Sequence, residues 1–254
     1  MLYSIKQEFY KLYHKKVAWI APIILLALMM VAGYALGSEE KKLLLALCFD
    51  APDWIMFILV VIGATTFSME FQNNAILTLL YKASNKINVY LSKYVVLFLY
   101  DVFLHVLALI YTVFLHYTLF RSSIKWTTTY LYGQPIWENM LIAIEVDLIT
   151  TMFIITLVFL LSCMINKNSI VVTVSFLFVF MGQTISSNLL NSDRFVNAMR
   201  WNPLNMLNLT RQFGNYSMYV DTTHLNNSQI LLGSLVYIMI FFILGYIVFR
   251  KKRY

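Results

Sequence analysis

Six stretches of this sequence are almost continuously apolar: about 17–36, 54–70, 94–120, 139–165, 170–190 and 230–249. A helix rises about 1.5 Å per residue, so a run of about 20 apolar residues matches the hydrocarbon thickness of a bilayer. The pattern predicts an all-α membrane protein with six transmembrane helices. The second run is short as written, and its helix is expected to reach back toward Ala51, with Trp54 at the interface where indole is favoured. The third and fourth runs exceed the hydrocarbon thickness and must project or tilt. Only Asn166-Lys167-Asn168-Ser169 joins the fourth run to the fifth, so these two form an antiparallel pair.

Three polar or mixed segments break the pattern. In 1–16, Leu2, Ile5, Phe9, Leu12 and Tyr13 recur at helical spacing, with Lys6, Lys11, Lys15 and Lys16 around them. That is the pattern of a helix lying in the membrane surface, with lysines snorkelling to the headgroups. In 70–93, Glu70 and Asn73-Asn74 precede an apolar cluster of Ile76, Leu77, Leu79, Leu80 and Tyr81, followed by Lys82. The asparagines can cap a short helix and Glu70 sits near its positive end. Ala83-Ser84-Asn85 interrupts it, and Ile87–Leu91 leads on into the third span. A minimal link needs only a few residues. This one is long and greasy, and it calls for a partner, for lipid, or for the protein's own spans to cover it. In 191–229, Pro203 breaks an otherwise apolar stretch, predicting two short helical pieces at the membrane surface or partly re-entrant. The whole of 1–254 reads as one membrane domain.

Composition agrees. Mean hydropathy is +0.71, and 12% of residues are charged, where soluble domains carry about a quarter. The net charge of +7 could suggest a nucleic-acid partner, but its placement argues against one. Twelve of the nineteen basic residues fall on one side of the six-span arrangement, among them Lys6, Lys11, Lys93, Lys167 and the run Arg250-Lys251-Lys252-Arg253. The positive-inside rule puts both termini and the 70–93 link in the cytoplasm of a multi-pass cell-membrane protein in contact with anionic lipid. Cys48 and Cys163 lie near opposite faces and cannot form a disulfide. No metal-ligand spacing occurs. Asn208, Asn215 and Asn226 open N-x-[ST] sequons, which matter only in a glycosylating host.

The order Glu70, Asn73-Asn74-Ala75-Ile76, Leu79-Leu80, Asn85-Lys86, Leu91-Ser92-Lys93 resembles the first cytoplasmic region of type-2 ABC exporter permeases. The resemblance extends to the basic N-terminal helix, the six spans and Trp201-Asn202-Pro203-Leu204-Asn205 before the last span. Ala75 stands where that family usually has Thr, and Ala83-Ser84-Asn85-Lys86 where it has a Pro/Arg break. What the resemblance implies is a transmembrane subunit that pairs with a second permease copy or paralogue. It would dock a cytoplasmic ABC ATPase through Glu70, Ile76, Leu77, Leu79, Leu80, Tyr81 and Lys82, and move an amphipathic substrate, a peptide or toxin, outward. It is similar in build to small Gram-positive peptide-export and immunity systems, the staphylococcal exporter of phenol-soluble modulins among them. None of the eight glycines precedes a lysine, so no G-x-x-x-x-G-K-[ST] phosphate loop is present. The chain is not expected to be an enzyme or to bind a cofactor; ATP and Mg belong to the partner.

Ionisable residues inside spans mark function or interior pairing, because a charge near the bilayer centre costs at least about 2.5–3.5 kcal/mol. Asp101 and His105, four apart, share a face of the third span. His116 lies near its outer end, at a level close to Glu145 and Asp147 of the fourth. Three readings stay open: a substrate path, structural pairing such as His116 with Glu145, or a proton relay through Asp101 and His105 in a secondary transporter. An inverted repeat or Gly/Pro-broken spans would favour the last, and neither is evident. An ABC-type immunity or ion-efflux permease is a further alternative. The sequence shows no nucleophile elbow or H-E-x-x-H zinc motif that would support a membrane hydrolase.

Overall fold

A computed structural model describes residues 1–36, 41–72, 85–121, 123–165, 167–190 and 196–252. Among these residues the chain is all-α, with six helices long and apolar enough to cross a membrane. They are α2 (Lys16–Leu36), α4 (Ala51–Gln72), α5 (Lys86–Tyr117), α6 (Ile136–Met164), α7 (Asn168–Leu190) and α11 (Asn227–Lys251). Short α1 (Leu2–Tyr13) precedes them, and α3 (Lys41–Ala46) lies between α2 and α4. Between α7 and α11 come α8 (Val196–Met199), α9 (Leu209–Gly214) and α10 (Tyr216–Thr223).

α6 is the axis of the bundle. It packs against α11, α4, α9, α3, α5 and α7. Of its most apolar window, 72% is buried, against 22% for α11 and 28% for α7. The last two therefore turn most of their apolar surface outward, to lipid or to another copy. α4, α5 and α6 approach closely at Gly63, where a Cβ would meet Leu97 at 3.3 Å and Val158 at 3.6 Å. Toward the face that carries both termini, Phe67, Tyr94, Phe159 and Phe242 interlock edge to face, with centroids 4.5–4.9 Å apart across α4, α5, α6 and α11. Tyr90 joins this group, its hydroxyl seated over Gly245 of α11 and donating to the Phe242 carbonyl at 3.2 Å.

Span boundaries differ from the apolar runs mainly at α5. The third run begins near 94, but the helix starts at Lys86, capped by the Asn85 side chain accepting from Ile87 N at 3.2 Å. The stretch Ile87–Leu91, expected to lead into the third span, is its first turns. Lys93 does not end the apolar helix because its charge is neutralised inside the protein, as described below. α4 does begin at Ala51, entered through a tight turn in which Cys48, Phe49 and Asp50 all have φ between 52 and 61°. Such left-handed geometry costs about 1–2 kcal/mol per residue. It sends Phe49 into the interior, fully buried, 5.4 Å from the Phe120 ring.

Among its described residues, the segment before the last span forms three short helices and a 3-10 turn, Asn205–Asn208, where two pieces were expected. Its centre is the buried Asn205, whose amide donates to the carbonyls of Arg200 at 2.7 Å and Thr223 at 2.9 Å. Its carbonyl oxygen accepts from Asn208 at 3.2 Å. All three sequon asparagines have structural work. Asn208 is buried in that network, Asn215 caps α10, and Asn226 forms a capping box with Gln229 at the start of α11.

Candidate functional site

α4 and α5 are the two stems of the 70–93 link. The predicted docking residues Ile76, Leu77, Leu79, Leu80, Tyr81 and Lys82 lie outside the described residues, as do Asn73 and Asn74. The stems themselves are described. Glu70 ends one and Lys93 lies two turns into the other. Between them sits α1.

The expected membrane face of α1 is only partly right. Leu2, Phe9 and Tyr13 are exposed, but the buried residues are Glu8 and Leu12. Glu8 is the only acid in a lysine-rich helix, and its carboxylate points into the protein. Its Oε2 meets Lys93 Nζ at 2.8 Å and its Oε1 meets Lys11 Nζ at 2.7 Å. Across from it, Glu70 Oε2 lies 2.6 Å from Lys93 Nζ and Oε1 lies 2.7 Å from Lys11 Nζ. The result is a closed ring of two acids and two bases, alternating in sign, that joins α1 to both stems. The Lys93–Glu70 contact is an ion pair off hydrogen-bond angles, since Oε2 has no well-angled donor. Lys93 also lies 5.2 Å above the Phe67 ring.

Burial works against ions at this place, and the ring overcomes it. Burial opposes the Glu8 carboxylate, yet the ammonium groups of Lys93 and Lys11 outweigh it and hold its pKa below the ordinary value. Burial likewise opposes the charge on Lys11, but Glu70 and Glu8 raise its pKa above the ordinary lysine value. Lys15 is the odd base. Burial first, and then the repulsion of Lys93, pull it down to about 8 despite the two glutamates. Beside the ring, Lys252 donates to the Cys163 carbonyl at 2.8 Å and sits 4.0 Å from the Phe71 ring, so the end of α11 also reaches the α4 stem.

A second charged group lies within the bundle. His105 Nε2 is 2.9 Å from Asp147 Oδ2. Its Nδ1 is 3.0 Å from Asp101 Oδ1 and 3.0 Å from the Asp101 carbonyl. Thr151 donates to Asp101 Oδ2 at 2.7 Å and Thr210 to Asp147 Oδ1 at 2.8 Å. Asp101, His105 and Asp147 are all buried. The ring can donate to both carboxylates only when both nitrogens carry hydrogen. The cluster joins α5, α6 and, through Thr210, α9. Next to Thr210, Arg211 donates to Asp53 at 2.9 Å and to Gln183 at 2.6 Å, fastening α9 to α4 and α7.

The example pair His116–Glu145 does not form. His116 is buried with its ring 4.7 Å from Trp126, while Glu145 is exposed on α6. About half a turn of helix explains the difference: Asp147 lies on the inward face of α6, and Glu145, two residues earlier, lies on the outward one. Sequence reasoning missed Glu8, Thr151 and Thr210. Only Glu8 left a signal, a lone acid three residues before Lys11 on a basic amphipathic helix.

Residues 4–182 match the model of the ABC-2 family transporter protein family. The match covers well over half of the chain, and the chain belongs to that family. It is an ABC-2 type permease, a multi-pass membrane protein of a class that works with a cytoplasmic ABC ATPase. No curated protein matches the chain.

Proposed function

We propose that this chain is the transmembrane subunit of an ATP-driven exporter that receives its motion through the 70–93 link. A separate ATPase, which binds the ATP and Mg, docks on that link in the cytoplasm. A second permease, identical or paralogous, completes the translocation unit. The cargo is amphipathic, a peptide or toxin.

The observation that carries this reading is the four-charge ring. It fastens α1 to the end of one stem and the start of the other, so a push on the link is delivered to three helices at once. Family membership supports the ATPase partner, and the basic residues clustered beside the link support a cytoplasmic position. The Asp101–His105–Asp147 cluster serves in this reading as an internal tie between α5, α6 and α9, because every carboxylate in it already has a partner.

The test is co-purification from the native host. The tagged chain should carry a P-loop ATPase in stoichiometric amount. Leu79→Glu should lose that ATPase while still inserting in the membrane. Normal capture of the ATPase by this variant would remove the docking assignment. Gradient-driven transport by the purified chain alone would favour the proton-coupled carrier instead.

A further inference from the structure

On the face opposite the termini, the end of α5 and the start of α3 enclose a cavity of about 170 Å³. Among the described residues, three basic side chains line it, Lys41, His116 and Arg121, and no carboxylate does. Leu44, Phe49 and Phe120 supply apolar wall. His116 is 5% exposed, and its Nδ1 has no hydrogen-bond partner. Buried polar atoms without a partner are uncommon and cost about 1–3 kcal/mol. Arg121 uses its Nε on the Tyr117 carbonyl, at 3.1 Å, at the last turn of α5. Among the described residues, neither its guanidinium nor the Lys41 ammonium forms an ion pair. Among the described residues, three nitrogen groups without a counter-charge thus converge on one small space.

We propose that this cavity holds the phosphodiester anion of a membrane lipid from the leaflet at that face. The charge selects an anion. Size selects a headgroup fragment rather than a whole small-molecule ligand, whose pockets start at about 300 Å³. Several donors from different directions suit the oxygens of a phosphate, with His116 able to give one N–H even as the neutral ring. Position selects a lipid over a free ion. Leu119 lines the cavity and is 50% exposed, and Phe114 and Tyr117 on the adjoining turn of α5 are open to the surroundings. Tyr34 of α2, also exposed, packs on the Phe120 ring at 5.0 Å. This aromatic collar around a span end is the level at which lipid phosphates lie.

The test uses the full chain in nanodiscs of phosphatidylglycerol and phosphatidylcholine, released and weighed by native mass spectrometry. The wild type should retain one phosphatidylglycerol through activation that strips the remaining lipid. Lys41→Gln with Arg121→Gln, and separately His116→Gln, should weaken that retention about tenfold, the worth of one charge-assisted hydrogen bond. Excess inorganic phosphate should leave the lipid in place. Equal retention by the variants, or no retained lipid on the wild type, would overturn the proposal. Displacement by inorganic phosphate would overturn the lipid assignment in favour of a free anion. Should His116→Gln fail to fold, the double variant at the two exposed cations still decides the matter.

Discussion

At the face bearing both termini, two lysines and two glutamates alternate around a closed ring. In the middle of the bundle, two aspartates share one histidine. The histidine cluster is buried and the ring is largely buried except at Lys11, and both join helices far apart in sequence, but they solve the problem of buried charge differently. The ring is balanced: every acid oxygen meets an ammonium and every ammonium meets two acids. The histidine cluster carries two carboxylates against at most one cation, and hydroxyls of Thr151 and Thr210 supply the missing donors. A balanced ring can be taken apart only by leaving a bare charge behind. A hydroxyl-supported cluster can lose a member and keep neutral partners. The first suits a joint that transmits force, the second a seam that keeps spans in register.

The largest expected effect comes from breaking the ring at its most buried member. Lys93→Met would leave Glu8 and Glu70 facing each other without Lys93, and should cost about 3–5 kcal/mol. Thermal unfolding in a single detergent would measure it. Adding Glu8→Gln to that variant should recover part of the loss, and full additivity of the two changes would deny that they interact. Next comes the histidine cluster. Thr210→Val removes one hydroxyl donor to Asp147 and should cost about 1.5–3 kcal/mol. Its loss should also loosen α9, seen as faster amide exchange over 209–214 with the α1–α5 contact unchanged.

The pH response should separate the ring from Lys15 beside it. Glu8 has a folded pKa below its ordinary 4.5, so its stabilising contribution is complete above that pH and fades as acid carries the solution through the lower folded value. Lys11 has the opposite sign: its contribution is complete below 10.5 and is lost above it. Lys15, at about 8 rather than 10.5, costs stability while charged, and that cost lifts progressively between pH 8 and 10.5. Lys15→Gln should therefore stabilise the protein at neutral pH, by up to about 1 kcal/mol, with no gain above pH 10.5. An unfolding series across pH checks all three signs. The smallest effect belongs to Glu145→Gln, which should stay within about 0.5 kcal/mol because the side chain is exposed.

The six spans were legible because length and hydropathy alone specify them. The start of α5 was not, because a sequence reader stops a span at a lysine, and only the tertiary partners Glu8 and Glu70 balance the charge of Lys93. The same holds for α1. Periodicity found a helix there, but the burial of Glu8 depends on residues 62 and 85 positions away. Asp101 and His105 announced themselves by their spacing on one helix. Asp147, the partner of His105, was an equal candidate with Glu145, and only the rotation of α6, which turns Asp147 inward and Glu145 outward, separates the two. The Trp201–Asn205 motif was visible as a pattern, whereas its work, the Asn205 amide holding Arg200 and Thr223 together, is a three-dimensional fact.

The joint between α1 and the stems is tested most directly by a distance. Spin labels at Tyr3→Cys on α1 and Leu99→Cys on α5, both exposed sites, report how tightly the two helices are held. Pulsed electron resonance on the protein in nanodiscs should give one narrow distance, broadened into several when Lys93→Met opens the ring. A distribution that stays narrow and unmoved in that variant would show that the four charges do not join α1 to the link.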